Sequence, residues 1–136
     1  METIPLAHAL GVEVLGVDLA NLNEAEIQAI TKAWHEHLVL LFRDQSASDP
    51  GFLQFSSNFG ELDRAPITVN GPPHRPELPH LAVISNVLEN GRPIGSLGNF
   101  EAVWHTDMSY NEEPPKASLL YAREIPATGG DTSFCN

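Results

Sequence analysis

The chain has 136 residues, the size of one ordinary domain, and its 42% hydrophobic content allows a real core. Eighteen acids against seven bases give a formal net charge of -11, which argues against nucleic acid and anionic membranes as partners, since both need basic patches. The single cysteine, Cys135, excludes an internal disulfide.

Eleven prolines and ten glycines point to many turns, as in a strand-rich fold. The N-terminus carries Glu2 and no basic-then-apolar leader pattern. The longest apolar run, Leu38 to Phe42, is far too short to span a bilayer. A cytoplasmic location is therefore expected.

Val12 to Val17 partly alternates and reads as a strand, with Asp18 at its end. Asn23 has the character of a helix N-cap, with Glu26 three residues on as its capping-box partner. Ile27, Ile30, Trp34 and Leu38 then share one helical face. Leu38 to Phe42 reads as a buried strand, closed by Arg43-Asp44-Gln45. A second helix is expected after Ser48 or Asp49, with Pro50 in its first turn. Phe52, Phe55 and Phe59 make one stripe on it, read as core rather than as a cofactor box, and Gly60 is a plausible stop.

The segment from 61 to 80 changes character. Pro66, Pro72, Pro73, Pro76 and Pro79 crowd it without periodicity, so it reads as a long loop. Long loops in compact domains are often lids or binding loops. Leu81 to Val87 is a predicted strand, and Asn90-Gly91 is a hairpin signal. Further strands are expected over Ala117 to Ala122 and from Asp131 to Cys135, with a turn at Ala127 to Gly130. No repeat and no internal boundary is visible. The order suggests a mainly β fold with flanking helices, a strand sandwich or jelly roll.

The chemistry-bearing stretch is Trp104-His105-Thr106-Asp107-Met108. On an extended strand, His105 and Asp107 at i and i+2 point the same way. An imidazole nitrogen and a carboxylate oxygen then reach one metal ion, as two of the three ligands in a two-His, one-carboxylate facial triad. The bland reading is a half-buried strand end with a hydrogen-bonded histidine. His35-Glu36-His37 has the same spacing, but on a helix two residues span about 200° and the rings diverge. His8 has no partner nearby; His74 and His80 lie in the proline-rich loop, either solvated or facing a substrate. Thr132 follows the tight Gly129-Gly130 turn, where its hydroxyl either donates to a carboxylate or simply starts a strand.

Taken together, Trp104-His-Thr-Asp107, Pro114-Pro115, Ser118-Leu-Leu-Tyr121, Pro126 and Gly129-Gly-Asp-Thr132 resemble the taurine and 2,4-dichlorophenoxyacetate dioxygenase family. Gly16-Val-Asp-Leu19, Val39-Leu-Leu-Phe-Arg-Asp-Gln45 and Phe59-Gly-Glu-Leu62 agree, so the resemblance runs from about Gly11 to Asn136. It implies a double-stranded β-helix of the jelly-roll, cupin-like kind, with 1–136 as the N-terminal part of a single dioxygenase domain. It implies Fe(II), alpha-ketoglutarate as co-substrate and O2, with hydroxylation of a small organic acid and release of succinate and CO2. By resemblance, His105 and Asp107 are metal ligands and catalytic residues, and Thr132 binds the alpha-ketoglutarate carboxylate. The family's third ligand, a histidine, and its co-substrate arginine lie further downstream than Asn136. His74 and His80 are candidate substrate contacts on the loop from Asp63 to His80, expected to act as a lid.

Two other readings compete. One is a non-catalytic jelly-roll fragment lacking a complete metal site. The other is a zinc hydrolase, which no His-Glu-x-x-His motif supports. A fragment that stops mid-core is also expected to expose a strand edge and Phe134, and so to form a homo-oligomer or aggregate.

Overall fold

The computed structural model describes residues 1–65, 75–97 and 103–136. Its residues fall into two compact units, one of Met1–Phe59 with Leu120–Asn136, the other of Gly60–Leu119.

The first unit is built on a three-stranded sheet ordered β1-β2-β3. Strand β1 (Glu2–Pro5) runs antiparallel to β2 (Val12–Leu15), and β3 (Leu40–Leu41) lies parallel to β2. The β2–β3 crossover is helix α1 (Glu24–His37), as a parallel connection requires. Its start follows the sequence. The Asn23 side chain accepts from the Glu26 amide at 3.0 Å, and Glu26 Oε2 accepts from the Asn23 amide at 2.9 Å. This box satisfies two amides that the first turn leaves without helical partners. Helix α2 (Asp49–Ser57) begins likewise, with Ser48 capping Gly51 and Pro50 in the first turn.

Among the described residues, Val12, Val14, Ile30, Ala33 and Phe55 are the buried hydrophobics, so the core draws on β2, α1 and α2. An edge-to-face aromatic chain extends it. Phe42 meets Phe55 at 6.0 Å, Phe55 meets Phe59 at 5.2 Å, and Phe59 meets Trp34 at 6.2 Å. Of the phenylalanine stripe, Phe55 is buried in the core, while Phe52 and Phe59 are half-buried.

Leu38 departs from expectation. It neither lies on the buried face nor starts a strand: it is 52% exposed with φ 67°. Its amide bonds the Trp34 carbonyl at 2.7 Å, so it closes α1 and reverses the chain into β3.

Gln45 joins two stretches that look separate in the sequence. Its side chain accepts from Leu19 N at 3.0 Å and donates to Val17 O at 3.3 Å and Arg43 O at 2.9 Å. Its carbonyl accepts from the Tyr121 hydroxyl at 3.1 Å, which itself accepts from Ala47 N at 3.2 Å. Tyr121 also packs on Phe52, and Arg123 stacks on the Tyr121 ring and pairs with Asp49. Residues 117–122 and 131–136 nevertheless form no strand. Their β-forming composition lacks a strand laid alongside, and β preference is realised only through cross-strand neighbours. Phe134 is exposed, but not on a strand edge.

The second unit has short elements. Strand β4 (Ile84–Ser85) pairs parallel with β7 (Ser96–Leu97). Between them β5 (Leu88–Glu89) and β6 (Arg92–Pro93) form the expected hairpin. Asn90 and Gly91, at φ 51° and 75°, make its turn. The predicted strand over Leu81 to Val87 is confined to the two residues of β4. Gly95 is obligatory for close approach. A Cβ there would lie 2.7 Å from both Ser85 N and Val83 O.

Candidate metal centre

The segment carrying His105 and Asp107 is not a strand. Residues 105–106 are irregular and 107–110 form a turn, closed by Asn111 N to Met108 O at 3.0 Å. Met108 takes φ 48°, a left-handed conformation unusual for a long side chain. The expected strand does not form because this stretch bonds to itself and to side chains rather than to a neighbouring strand. The two side chains still converge. His105 Nε2 and Asp107 Oδ1 stand 3.0 Å apart.

Each group is fixed on its far side. His105 Nδ1 lies 2.6 Å from the Val103 carbonyl, which can only accept, so Nδ1 carries a hydrogen and donates. That bond directs Nε2 at Asp107, the arrangement found behind metal-binding imidazoles. Asp107 Oδ2 accepts from the Ser118 hydroxyl at 2.6 Å. With Nδ1 already donating, a hydrogen bond from Nε2 to the carboxylate makes the ring an imidazolium. The pKa of His105 is accordingly raised, first by the Val103 carbonyl and then by the Asp107 hydrogen bond, with desolvation opposing and the Asp107 charge adding least.

The donor set fits a divalent metal. Ligands at adjacent corners of an octahedron, with bonds of about 2.1 Å, lie about 3 Å apart. Nε2 and Oδ1 meet that spacing, and a cation bound by both would replace the Nε2 proton. The side chains are 64% and 55% exposed, so the pair is open to ligands. Among the described residues, no group of three or more His, Cys, Asp or Glu side chains is placed to hold a metal.

Thr132 belongs to the first unit, exposed beyond the Gly129-Gly130 turn, where both glycines adopt positive φ of 72° and 73°. His80 donates from Nδ1 to Asp63 O at 2.9 Å. With Ala65 N to Pro79 O at 2.8 Å, this bond closes the base of the proline-rich loop. His74 and most of that loop lie outside the described residues. His35 and His37 end α1, as expected.

Ser118 was not legible as a site residue. The available signal is a hydroxyl within the otherwise apolar run Ala117 to Ala122, shortly after Pro114-Pro115. No described helix is long and apolar enough to cross a membrane.

Known proteins give the context. The chain is 37% identical over 134 residues to the alpha-ketoglutarate-dependent 2,4-dichlorophenoxyacetate dioxygenase of Cupriavidus pinatubonensis, covering 94% of this chain and 46% of that protein. It is 35% identical to pentalenolactone F synthase of Streptomyces avermitilis, covering 90% of this chain and 40% of that protein. It is 32% identical to the alpha-ketoglutarate-dependent sulfate ester dioxygenase of Pseudomonas putida, covering 100% of this chain and 42% of that protein. The chain thus spans less than half the length of these curated relatives. The model of the taurine catabolism dioxygenase TauD, TfdA family matches residues 2–136. With that match running through the His105–Asp107 pair, the chain belongs to the TauD, TfdA dioxygenase family.

Proposed function

We propose that the protein carrying this chain is an Fe(II)- and alpha-ketoglutarate-dependent dioxygenase that hydroxylates a small organic acid, releasing succinate and CO2. The observation that carries the reading is the 3.0 Å approach of His105 Nε2 to Asp107 Oδ1, in a segment within the family match. We assign these two atoms as metal ligands within a double-stranded β-helix core. When bound, Fe(II) supplies the activation of dioxygen that couples decarboxylation of the keto acid to substrate hydroxylation.

The chain's own residues orient the components. His105 gives up its Nε2 proton to bind, while the Val103 carbonyl holds the ring in place. Asp107 contributes Oδ1 and a negative charge. Thr132 donates its hydroxyl to an alpha-ketoglutarate carboxylate. His80 is a candidate substrate contact, as is His74, which lies outside the described residues.

A non-catalytic fragment is favoured only by the ligand count, two among the described residues. One experiment separates the readings. Assay the complete protein for succinate with Fe(II), alpha-ketoglutarate and aryloxy acids, sulfate esters or sulfonates. Succinate release that Asp107→Ala abolishes is expected; unchanged turnover in that variant overturns the assignment. Residues 1–136 alone are expected to release none.

A further inference from the structure

The carboxylate of Asp107 has two oxygens and two different neighbours. Oδ1 faces His105 Nε2 at 3.0 Å, and Oδ2 accepts from Ser118 Oγ at 2.6 Å. We propose that Ser118 is a positioning residue that holds Asp107 to single-oxygen metal ligation. The inference rests on the metal reading above and adds a residue to it.

The argument begins with the carboxylate's freedom. Asp107 stands on a turn and is about half exposed, so packing does little to fix its rotation. The terminal torsion of an aspartate is broad and nearly two-fold, so the oxygens exchange easily without a partner. An ionised carboxylate accepts only, so the Ser118 hydroxyl must be the donor. At 2.6 Å the bond lies in the range of charge-assisted O–H···O⁻ bonds, roughly twice as strong as neutral ones. It therefore distinguishes one oxygen from the other.

That distinction matters to coordination. A carboxylate with two available oxygens can chelate a divalent cation through both. In an octahedral facial triad, a chelating aspartate would take a position needed by the keto acid or by dioxygen. A hydroxyl bonded to Oδ2 opposes that chelation and leaves Oδ1 beside Nε2. Ser118 reaches Asp107 from eleven residues away. The intervening Pro114-Pro115 narrows the backbone freedom of that return.

The test uses the complete protein that carries this chain, as Ser118→Ala, Ser118→Thr and Asp107→Asn. In the metal-free chain, Ser118→Ala is expected to move the Asp107 carboxyl 13C resonance and Ser118→Thr to restore it. Mn(II) titration then reads binding. Ser118→Ala is expected to weaken it by about tenfold, the low end for loss of a ligand's hydrogen-bond partner, and Ser118→Thr to recover most of that. An unmoved resonance, unchanged Mn(II) affinity in Ser118→Ala, or no rescue by Thr overturns the proposal. If Asp107→Asn abolishes binding while Ser118→Ala does not alter it, Ser118 fails and the metal reading stands. If Asp107→Asn binds Mn(II) like the wild type, or the wild type binds none, both fail.

Discussion

The two units solve opposite problems. Met1–Phe59 contains all the buried hydrophobic residues found among the described ones, set by a capping box, a parallel crossover and an aromatic chain. Gly60–Leu119 contains none of them. Its paired strands are two residues long, and Ile84, Leu88, Val103, Trp104 and Tyr110 are exposed. Yet the candidate metal pair lies in the second unit, held by three polar bonds rather than by packing. Order at a chemical site can thus be local and polar while global stability lies elsewhere in the chain.

The sharpest way to break this contrast is a pair of truncations. Ile30 is 1% exposed, and Ile30→Ala should cost about 2–5 kcal/mol from lost burial and the cavity left behind. Tyr110 is 79% exposed, and Tyr110→Ala should stay within about 0.5 kcal/mol. Urea unfolding of both variants decides. Comparable losses would mean that packing in the second unit has been underrated.

The same contrast governs what the sequence made legible. Asn23 with Glu26, Ser48 with Pro50, and Asn90-Gly91 were readable because each device completes itself within four residues. The Phe55 and Phe59 stripe was readable because helical periodicity is strong. Strand β1 escaped notice: Glu2–Pro5 includes a proline, and its pairing with β2 spans a turn at Gly11. Strands over 117–122 and 131–135 were expected from composition alone, which cannot report the lack of a partner strand. The His105–Asp107 pair was legible from motif and spacing, though the strand invoked to align it is absent. Ser118 and the Gln45 clamp were not, because contacts across 11 and 26 residues leave no local pattern.

A smaller effect tests whether the second unit has any tight packing. Gly95→Ala would push a methyl against backbone atoms of Val83 and Ser85, which cannot yield as a flexible side chain would. A cost of about 1–3 kcal/mol is expected, as for overpacking elsewhere. Amide exchange at Ser85 should accelerate while that of Ile30 stays slow. Unchanged exchange at Ser85 would show that the β4–β7 pairing does not depend on this approach.

The smallest expected effect is the most direct probe of the polar order in the second unit. His105 should titrate above the ordinary imidazole value of 6.5 in the metal-free chain, because the Val103 carbonyl and then Asp107 favour its protonated form. The sign follows from linkage. A pKa raised on folding adds stability that is fully present below the unfolded value and is lost as pH rises through the folded one. Metal uptake runs the other way. The Nε2 proton must leave first, so apparent Mn(II) affinity should climb with pH up to the raised pKa and level off above it. Proton NMR of the ring reads the first quantity, and Mn(II) titration across pH reads the second. Asp107→Asn should lower the ring's pKa only partway, since the Val103 carbonyl, the largest single cause, remains. An ordinary value in the unaltered chain would mean that the bonds holding His105 do not persist in solution. The second unit would then lack the local order that distinguishes it from a mere connecting segment.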